Sequence, residues 1–495
     1  MRMAQMGYDV SGARAPSPAS HDGAGEAPAL PAFSPGRVAA SGSMTIAEQV
    51  STQRKPDMLT VDDAVGRILE EFAPLVDHER VSLLEALGRV LVEDVPADLD
   101  LPPFDTTAMD GYALRAVDVA AATPARPAPL RVVGQIAAGA VATAPLQEGE
   151  AYRILTGAPM PPGADSVVPY EDTDGRGFGG WSGQTGAAEA AAEREVRLLT
   201  AVERGDNVRY RGEVQRQGGI VVRAGSVVRP GEVAVLATFG KTAVWVHRRP
   251  RVAILSTGDE LVAAGDAPGA GQIRDGNAPG LAALVRQYGG EPLPLGIARD
   301  EPDAVRRGLV KGVEQGADVL VTSGGVSMGD HDVVKHVLQG DGRVDFWSID
   351  LRPGKPLAFG RFLGVPVIGL PGNPVSSLVT FELFVRPALL RLAGHTRVQK
   401  VELLATALEP IKNGSGRENF MRGIVERRLS DAGGTDGKGG MQETEWTVRL
   451  TGQQASNFVT SMAQANALVR VGKTQTLVSP GEKVRVVMLD WSPLW

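Results

Sequence analysis

The sequence predicts a multidomain protein of the α/β plus β class, and three observations predict it. Strand-like and helix-like runs alternate between about residues 249 and 398, the pattern of a parallel-rich sheet flanked by helices. Short β-like runs broken by Gly and Pro lie on both sides of that stretch, as in small all-β modules. The 495 residues also exceed one domain at roughly 100–200 residues each.

Taken in order, residues 1–55 are expected to be a disordered tail. Ala, Gly, Pro and Ser fill 25 of the 34 positions in 11–44. Such a segment has too little apolar surface to offset its ordering entropy. Residues 56–100 and 205–248 are expected to form a mixed helical and extended module. Thr60 can cap a helix reaching residue 72, with Val61, Ala64, Val65, Ile68 and Leu69 on one face. A second helix is expected over 82–88, and 205–248 reads as Gly-punctuated strands. Residues 101–204 read as a small β module, through runs such as LRVVGQI and SVVPYEDT, with a flexible insertion near 175–192. In 249–398, strands are expected at RVAILST, PLPLGIARD, ADVLVTS and VPVIGLPG. Helices are expected near 280–288, 302–315, 332–338 and 375–392. From 399 to 495 the short strands return. A small barrel or sandwich is expected there, adopted here as a β-barrel, with 431–440 as a hairpin tip.

Composition excludes several function classes. The balance of 51 Lys and Arg against 58 Asp and Glu lacks the basic footprint of a nucleic-acid binder. Zero cysteines remove disulfides, thiolate nucleophiles, Fe–S clusters and Cys-ligated zinc, and permit a reducing cytoplasm. No apolar run reaches the roughly 18 residues of a membrane span, nor does the N-terminus carry a secretory h-region.

The residues able to do chemistry gather in the α/β stretch. Three Gly-rich turns each follow an expected strand: Ser256-Thr-Gly-Asp-Glu260, Ser323-Gly-Gly-Val-Ser-Met-Gly-Asp330 and Pro371-Gly-Asn-Pro-Val-Ser376. In open α/β sheets, ligands bind beyond the carboxyl ends of the strands, where these turns would converge. Gly-Gly lets backbone N–H groups face an anion, and Ser327 and Ser376 add hydroxyls. Each turn alone also reads as a tight turn with a good helix cap; three on one edge favour an anion site. Arg352-Pro-Gly-Lys-Pro356 is a stiff turn with two cations, either a solvated basic turn or a clamp for phosphate. Asp259, Glu260, Asp300, Asp330 and Asp332 punctuate the same edge. They can cap helices, or as hard oxygen donors they suit Mg²⁺. Ahead of this stretch lie Phe104-Asp-Thr-Thr-Ala-Met-Asp-Gly-Tyr-Ala113 and Arg153-Ile-Leu-Thr-Gly-Ala-Pro-Met-Pro161. The Arg-rich segment 209–229 is either a charged edge strand or a second basic surface.

Together these segments resemble the molybdopterin molybdenumtransferase family, the MoeA proteins of bacteria and the E-domain of gephyrin and its plant counterpart. The resemblance runs from about Leu59 to the C-terminus. It rests on DTTAMDGYA, RILTGAPMPPGAD, STGDEL, SGGVSMGDHD, RPGKP, GLPGNPVS, GRENFMRG and GQQASNFVTSMAQANAL in the family's order. It implies an elongated homodimer of four-domain subunits whose α/β domain binds molybdopterin. It also implies Mg²⁺-dependent insertion of molybdate into adenylylated molybdopterin, with release of AMP. Molybdate and adenylylated molybdopterin are the implied substrates, and the molybdopterin adenylyltransferase that makes the latter is an implied partner. By matching position, the resemblance implies that Asp110, Thr156, Arg209, Glu260, Asp300 and Asp332 are needed for activity; among them the carboxylates Glu260, Asp300 and Asp332 are the candidate metal ligands. It places Arg209, Ser323, Gly324, Gly325, Ser327, Arg352, Lys355, Pro371, Gly372, Asn373 and Ser376 in ligand binding. In a dimer, Asp110 and Thr156 would approach the α/β edge of the other subunit.

Two positions depart from the family's pattern. Val214 follows Gly212-Glu213 where an aspartate is usual, and Ser348 follows Trp347 where a lysine often stands. Retained activity is expected despite both. Two alternatives remain: a molybdopterin adenylyltransferase, which shares the SGGVSMGD-type turn but is a single α/β module, and a non-catalytic molybdopterin-binding scaffold. The sequence does not separate molybdate from tungstate.

Overall fold

The computed structural model describes residues 58–175, 195–326, 333–429 and 444–489. The expected tail, the insertion near 175–192 beyond residue 175, and the hairpin tip at 431–440 lie outside the described residues.

The first helix, α1 (Val61–Glu70), starts where Thr60 accepts a hydrogen bond from the Asp63 backbone N–H. Its apolar face packs into the same core as the α/β sheet, with Val61, Ala64 and Ile68 against residues such as Val252, Leu281 and Phe384. The following strand, His78–Ser82, pairs antiparallel with Ala243–His247 over a separate core containing Leu91, Val222, Leu236 and Val246. Residues 83–88 form hydrogen-bonded turns rather than the expected helix. The segment is too short to propagate, and Gly88 at φ 77° ends it. Conversely, 205–248 contains a helix, α2 (Pro230–Thr238), that the strand reading missed. Pro230-Gly231 resembles a turn in sequence, but proline is favoured at a first helical position. Glu232 then takes the Arg229 backbone N–H.

The small β module is a five-stranded sheet in the order Ser166–Pro169, Gly111–Leu114, Glu150–Ile154, Ala128–Ile136, Glu195–Leu198. Its two faces bury separate apolar clusters, centred on Tyr112 and Leu198 on one side and on Ile136 and Ile154 on the other.

The α/β module is a six-stranded sheet. In spatial order the strands are Glu291–Ala298, Arg251–Thr257, Val319–Ser323, Val365–Leu370, Pro356–Phe362 and Gly342–Ser348. The first four run parallel, Pro356–Phe362 runs antiparallel to them, and Gly342–Ser348, antiparallel to it in turn, runs with the first four, so the sheet is parallel-rich. Buried on both faces, the Arg251 and Val319 strands are nearly continuous apolar runs. Flanking helices are α3 (Asn277–Gln287), α4 (Pro302–Glu314) and α5 (Val333–Asp341). A longer helical run covers 374–392, interrupted by a π-turn at Phe381–Val385.

At the C-terminus, strands Glu418–Leu429, Thr444–Leu450, Glu402–Ala407, Lys483–Met488 and Ala467–Val471 pair in sequence around a closed ring, because the first and last also pair. Closure removes sheet edges, and the barrel interior is filled by Val425, Val448, Val469 and Val486. The barrel joins the α/β module at one point that matters. Leu351–Arg352 pairs parallel with Glu418–Asn419, and Lys473 bonds the buried Asp350 at 2.6 Å. No helix among the described residues is long and apolar enough to cross a membrane.

Candidate active site

A cleft of about 600 Å³ opens where the parallel strands end and the barrel meets them. It is lined from the α/β side by Thr257, Gly258, Glu260 and Asp300, by Gly324 and Gly325, by the 352–356 turn, and by Pro371, Gly372, Asn373 and Ser376. The three Gly-rich turns therefore do converge on one edge, as strand order dictates.

The turns are fastened to one another. Asn277 Nδ2 donates to Ser323 Oγ at 2.8 Å and to the Gly372 carbonyl at 2.7 Å, tying the second turn to the third. Gly372 and Gly324 approach so closely that a Cβ on Gly372 would lie 3.5 Å from the Gly324 Cα. Ser323 is buried behind the lining, its hydroxyl also 3.4 Å from that of Ser377. The Gly324 N–H donates to the Leu370 carbonyl at 3.0 Å. Gly324 thus supplies the turn's conformation, not a donor into the cleft. Gly325 sits at φ 64°, where a Cβ would meet Val334 Cγ2 at 2.3 Å.

The cleft's charges are of both signs. Arg352 and Lys355 are exposed, and among the described residues neither side chain has an ion pair or hydrogen bond. Behind them, Arg422 is 1% exposed and held only by neutral groups: Ser461 Oγ at 2.9 Å and the carbonyls of Gln453 and Ala455. Burial, and then the charge of Arg352, pull its pKa down to about 10. It remains a cation at neutral pH and adds positive potential behind the 352–356 turn.

Elsewhere in the lining, the Asp300 backbone N–H donates to Asp259 Oδ1 at 3.2 Å. Burial, then the nearby charges of Asp259 and Glu260, raise the Asp300 pKa. A carboxyl held up by burial and by two neighbouring carboxylates is what a cation would relieve. Among the described residues no group of three or more His, Cys, Asp or Glu side chains is arranged to hold a metal ion. Ser327 and Asp332 lie outside the described residues.

Besides Ser323 and Asp259, three described residues singled out in the sequence do not line this cleft. Asp110 and Thr156 meet each other in the small β module, where Asp110 Oδ1 accepts from the Thr156 backbone N–H at 2.7 Å and from its hydroxyl at 2.6 Å. The Thr156 hydroxyl, then its N–H, hold the Asp110 pKa below its ordinary value. Arg209 lies on a two-residue strand paired with Thr106–Thr107, beside that turn. Conversely, Arg417, Gln454 and Ser456 of the barrel line the cleft and were not singled out. Arg417 donates to the Leu351 carbonyl at 3.2 Å, and the Ser456 carbonyl accepts from Val375 N at 3.1 Å.

A Gly-walled, mixed-charge cleft at the carboxyl edge of a parallel-rich sheet, backed by an all-β module, is the setting in which α/β proteins as a class take phosphate-bearing or other oxyanionic ligands. Family models narrow this class. The model for the MoeA N-terminal region (domain I and II) matches residues 59–240, that for a probable molybdopterin binding domain matches 253–391, and that for the MoeA C-terminal region (domain IV) matches 405–489. The molybdopterin molybdenumtransferase of Nostoc sp. is 36% identical over 83% of this chain and 89% of its own length. Molybdopterin molybdenumtransferase 2 of Mycobacterium tuberculosis is 35% identical over 85% of this chain and 97% of its own. A crystal structure of a molybdopterin biosynthesis MoeA protein from Pyrococcus horikoshii superposes with a TM-score of 0.70 at 27% identity, over 87% of this chain and all of that one. The chain belongs to the molybdopterin molybdenumtransferase (MoeA) family and is an enzyme of molybdenum cofactor biosynthesis.

Proposed function

We propose that the protein inserts molybdate into adenylylated molybdopterin in a Mg²⁺-dependent reaction that releases AMP. The observation that carries this reading is the cleft itself, whose lining brings Arg352 and Lys355, without partners among the described residues, together with Glu260, Asp300 and the Gly-rich turns. Molybdate, the pyrophosphate link and the pterin phosphate are all anions. Releasing AMP requires cleavage of a phosphoanhydride, where positioning and charge neutralisation carry most of the catalysis. Arg352 can grip an oxyanion with two N–H groups, and Lys355 adds a point charge. Ser376, at the start of the 374–392 helical run, adds a hydroxyl donor.

The donor set suits Mg²⁺, which is usually held by one or two carboxylates plus substrate phosphates. Glu260 and Asp300 would hold it, joined by Asp332. When bound, the ion neutralises phosphoryl oxygens. The ene-dithiolate sulfurs come with the substrate, so a chain without cysteine can carry out the reaction. In a homodimer, Asp110, Thr156 and Arg209 of one subunit would complete the cleft of the other. In this proposal the reaction runs in the cytoplasm and is supplied by the molybdopterin adenylyltransferase. The test is AMP release by purified protein given adenylylated molybdopterin, Mg²⁺ and molybdate. Release no faster than that of a Glu260→Ala variant would overturn the proposal.

A further inference from the structure

A second cavity, of about 450 Å³, lies at the other end of the α/β module. The cleft sits beyond Thr257, at the carboxyl end of the Arg251–Thr257 strand. This cavity is lined by residues 247–249, just before the strand's first residue, and shares no lining residue with the cleft. Seven residues of strand separate the two ends, about 20 Å at 3.3 Å per residue.

Its walls carry Arg89, Arg248, Arg249, Arg286, His247 and His395, and no carboxylate. Two of the arginines are fixed from behind. Arg89, 8% exposed, bonds Glu79 at 2.8 Å and the His247 carbonyl at 2.7 Å. Arg248 makes a two-pronged pair with Asp318 at 2.7 Å and 2.7 Å, and reaches Asp77 at 3.1 Å. Asp318 is itself anchored by the Arg251 backbone N–H at 2.7 Å. These pairs make rigid walls with their own counter-charges outside the cavity.

Among the described residues, the other two arginines have none. There, Arg249 is exposed and its side chain gives a hydrogen bond only to the Gly289 carbonyl, at 3.1 Å. Arg286 is exposed, and among the described residues its side chain has no ion pair or hydrogen bond. The cavity thus presents two guanidinium groups with no counter-charge among the described residues, over a preorganised wall of paired arginines. Its volume lies within the few hundred Å³ typical of small-molecule pockets, and fork-shaped donors in this density match phosphate oxygens.

We propose that this cavity is a second anion site, built to take a small molecule bearing a phosphate or pyrophosphate group. The reading does not depend on what the cleft does, and it can be tested with the cleft disabled. Inorganic pyrophosphate, in the absence of Mg²⁺ and at low ionic strength, is titrated calorimetrically into the full-length Arg352→Ala/Lys355→Ala protein. Saturable binding is expected. Adding Arg249→Ser and Arg286→Ser should weaken it by at least about tenfold, the scale of losing charge-assisted hydrogen bonds. Both arginines are exposed, so the unfolding midpoint should not move, which separates lost binding from lost fold. The proposal is overturned if the cleft-disabled protein shows no saturable binding, or if the four-fold variant binds equally well.

Discussion

Two clusters of charge in the α/β module, both touching the 374–392 helical run, are handled in opposite ways. At the π-turn, Glu382 is 4% exposed and closes a buried network. Its carboxylate accepts from the Tyr288 hydroxyl at 3.0 Å and pairs with Lys400 at 2.9 Å, and Lys400 also donates to Tyr288 and to the Met488 carbonyl. Arg386 lies 4.9 Å over the Tyr288 ring. Burial, then the charge of Glu382, push the Tyr288 pKa well above its ordinary value, so the hydroxyl stays a donor. At the start of the same run, the cleft leaves Arg352 and Lys355 unpaired among the described residues. A network whose members satisfy one another serves the fold, whereas charges left open serve a ligand. The two should therefore respond differently to mutation.

The largest effect expected is on the closed network. Lys400→Met leaves Glu382 buried without its cation, and breaking such a pair costs roughly 3–5 kcal/mol. The urea midpoint should fall accordingly, while activity per folded molecule stays near wild type. Replacing Glu382 as well, with Gln, should recover part of the loss. The comparison breaks if Lys400→Met leaves stability intact and lowers turnover.

The open charges should do the reverse. Arg352→Ala/Lys355→Ala is expected to slow AMP release about 10²–10³-fold, roughly 2.7–4 kcal/mol on the barrier. Unfolding should shift by no more than about 0.5 kcal/mol, as for exposed side chains without partners. A large loss of stability would mean that these cations hold the turn rather than the ligand.

What the sequence made legible follows the same division. The Gly-rich turns were readable because each follows an apolar strand, and strand direction fixes the edge on which they meet. Arg352 and Lys355 were readable because prolines bracket them. Ser323 looked equally available, but only the packed structure shows its hydroxyl turned inward to Asn277 and Ser377. Arg417, Gln454 and Ser456 lie in the GRENFMRG and GQQASNFVTSMAQANAL segments that carry the resemblance, but nothing local marks them as site residues, since a cleft wall supplied by another module exists only in space. The helix at Pro230–Thr238 was missed because Pro-Gly marks a turn and a helix start alike.

The turns themselves offer a third, intermediate test. Gly325→Ala places a Cβ at φ 64° against Val334 Cγ2, so either the backbone or α5 must shift. A cost of about 1–3 kcal/mol is expected from strain and overpacking. Because Gly325 lines the cleft, activity should fall as well, joining the two responses that the first two variants keep apart. A variant stable and active as wild type would show that this turn does not shape the cleft.

The smallest expected effect concerns the Asp110–Thr156 pair, which is closed like the Glu382 network but lies near the surface. Thr156→Val removes the hydroxyl that contributes most to lowering the Asp110 pKa and leaves the backbone N–H in place. The Asp110 pKa should therefore rise toward its ordinary value, read by carboxyl-carbon NMR across an acid titration. A depressed carboxylate pKa stabilises the fold above the unfolded-state pKa, and that contribution is lost as pH falls through the folded-state value. The stability difference between wild type and Thr156→Val should accordingly be full at neutral pH and close in acid. If AMP release also falls while the neutral-pH stability barely changes, the pair belongs with the open charges of the cleft, serving a ligand through the second subunit. If only the titration moves, it belongs with Glu382 and Lys400, and the cleft needs nothing from the small β module.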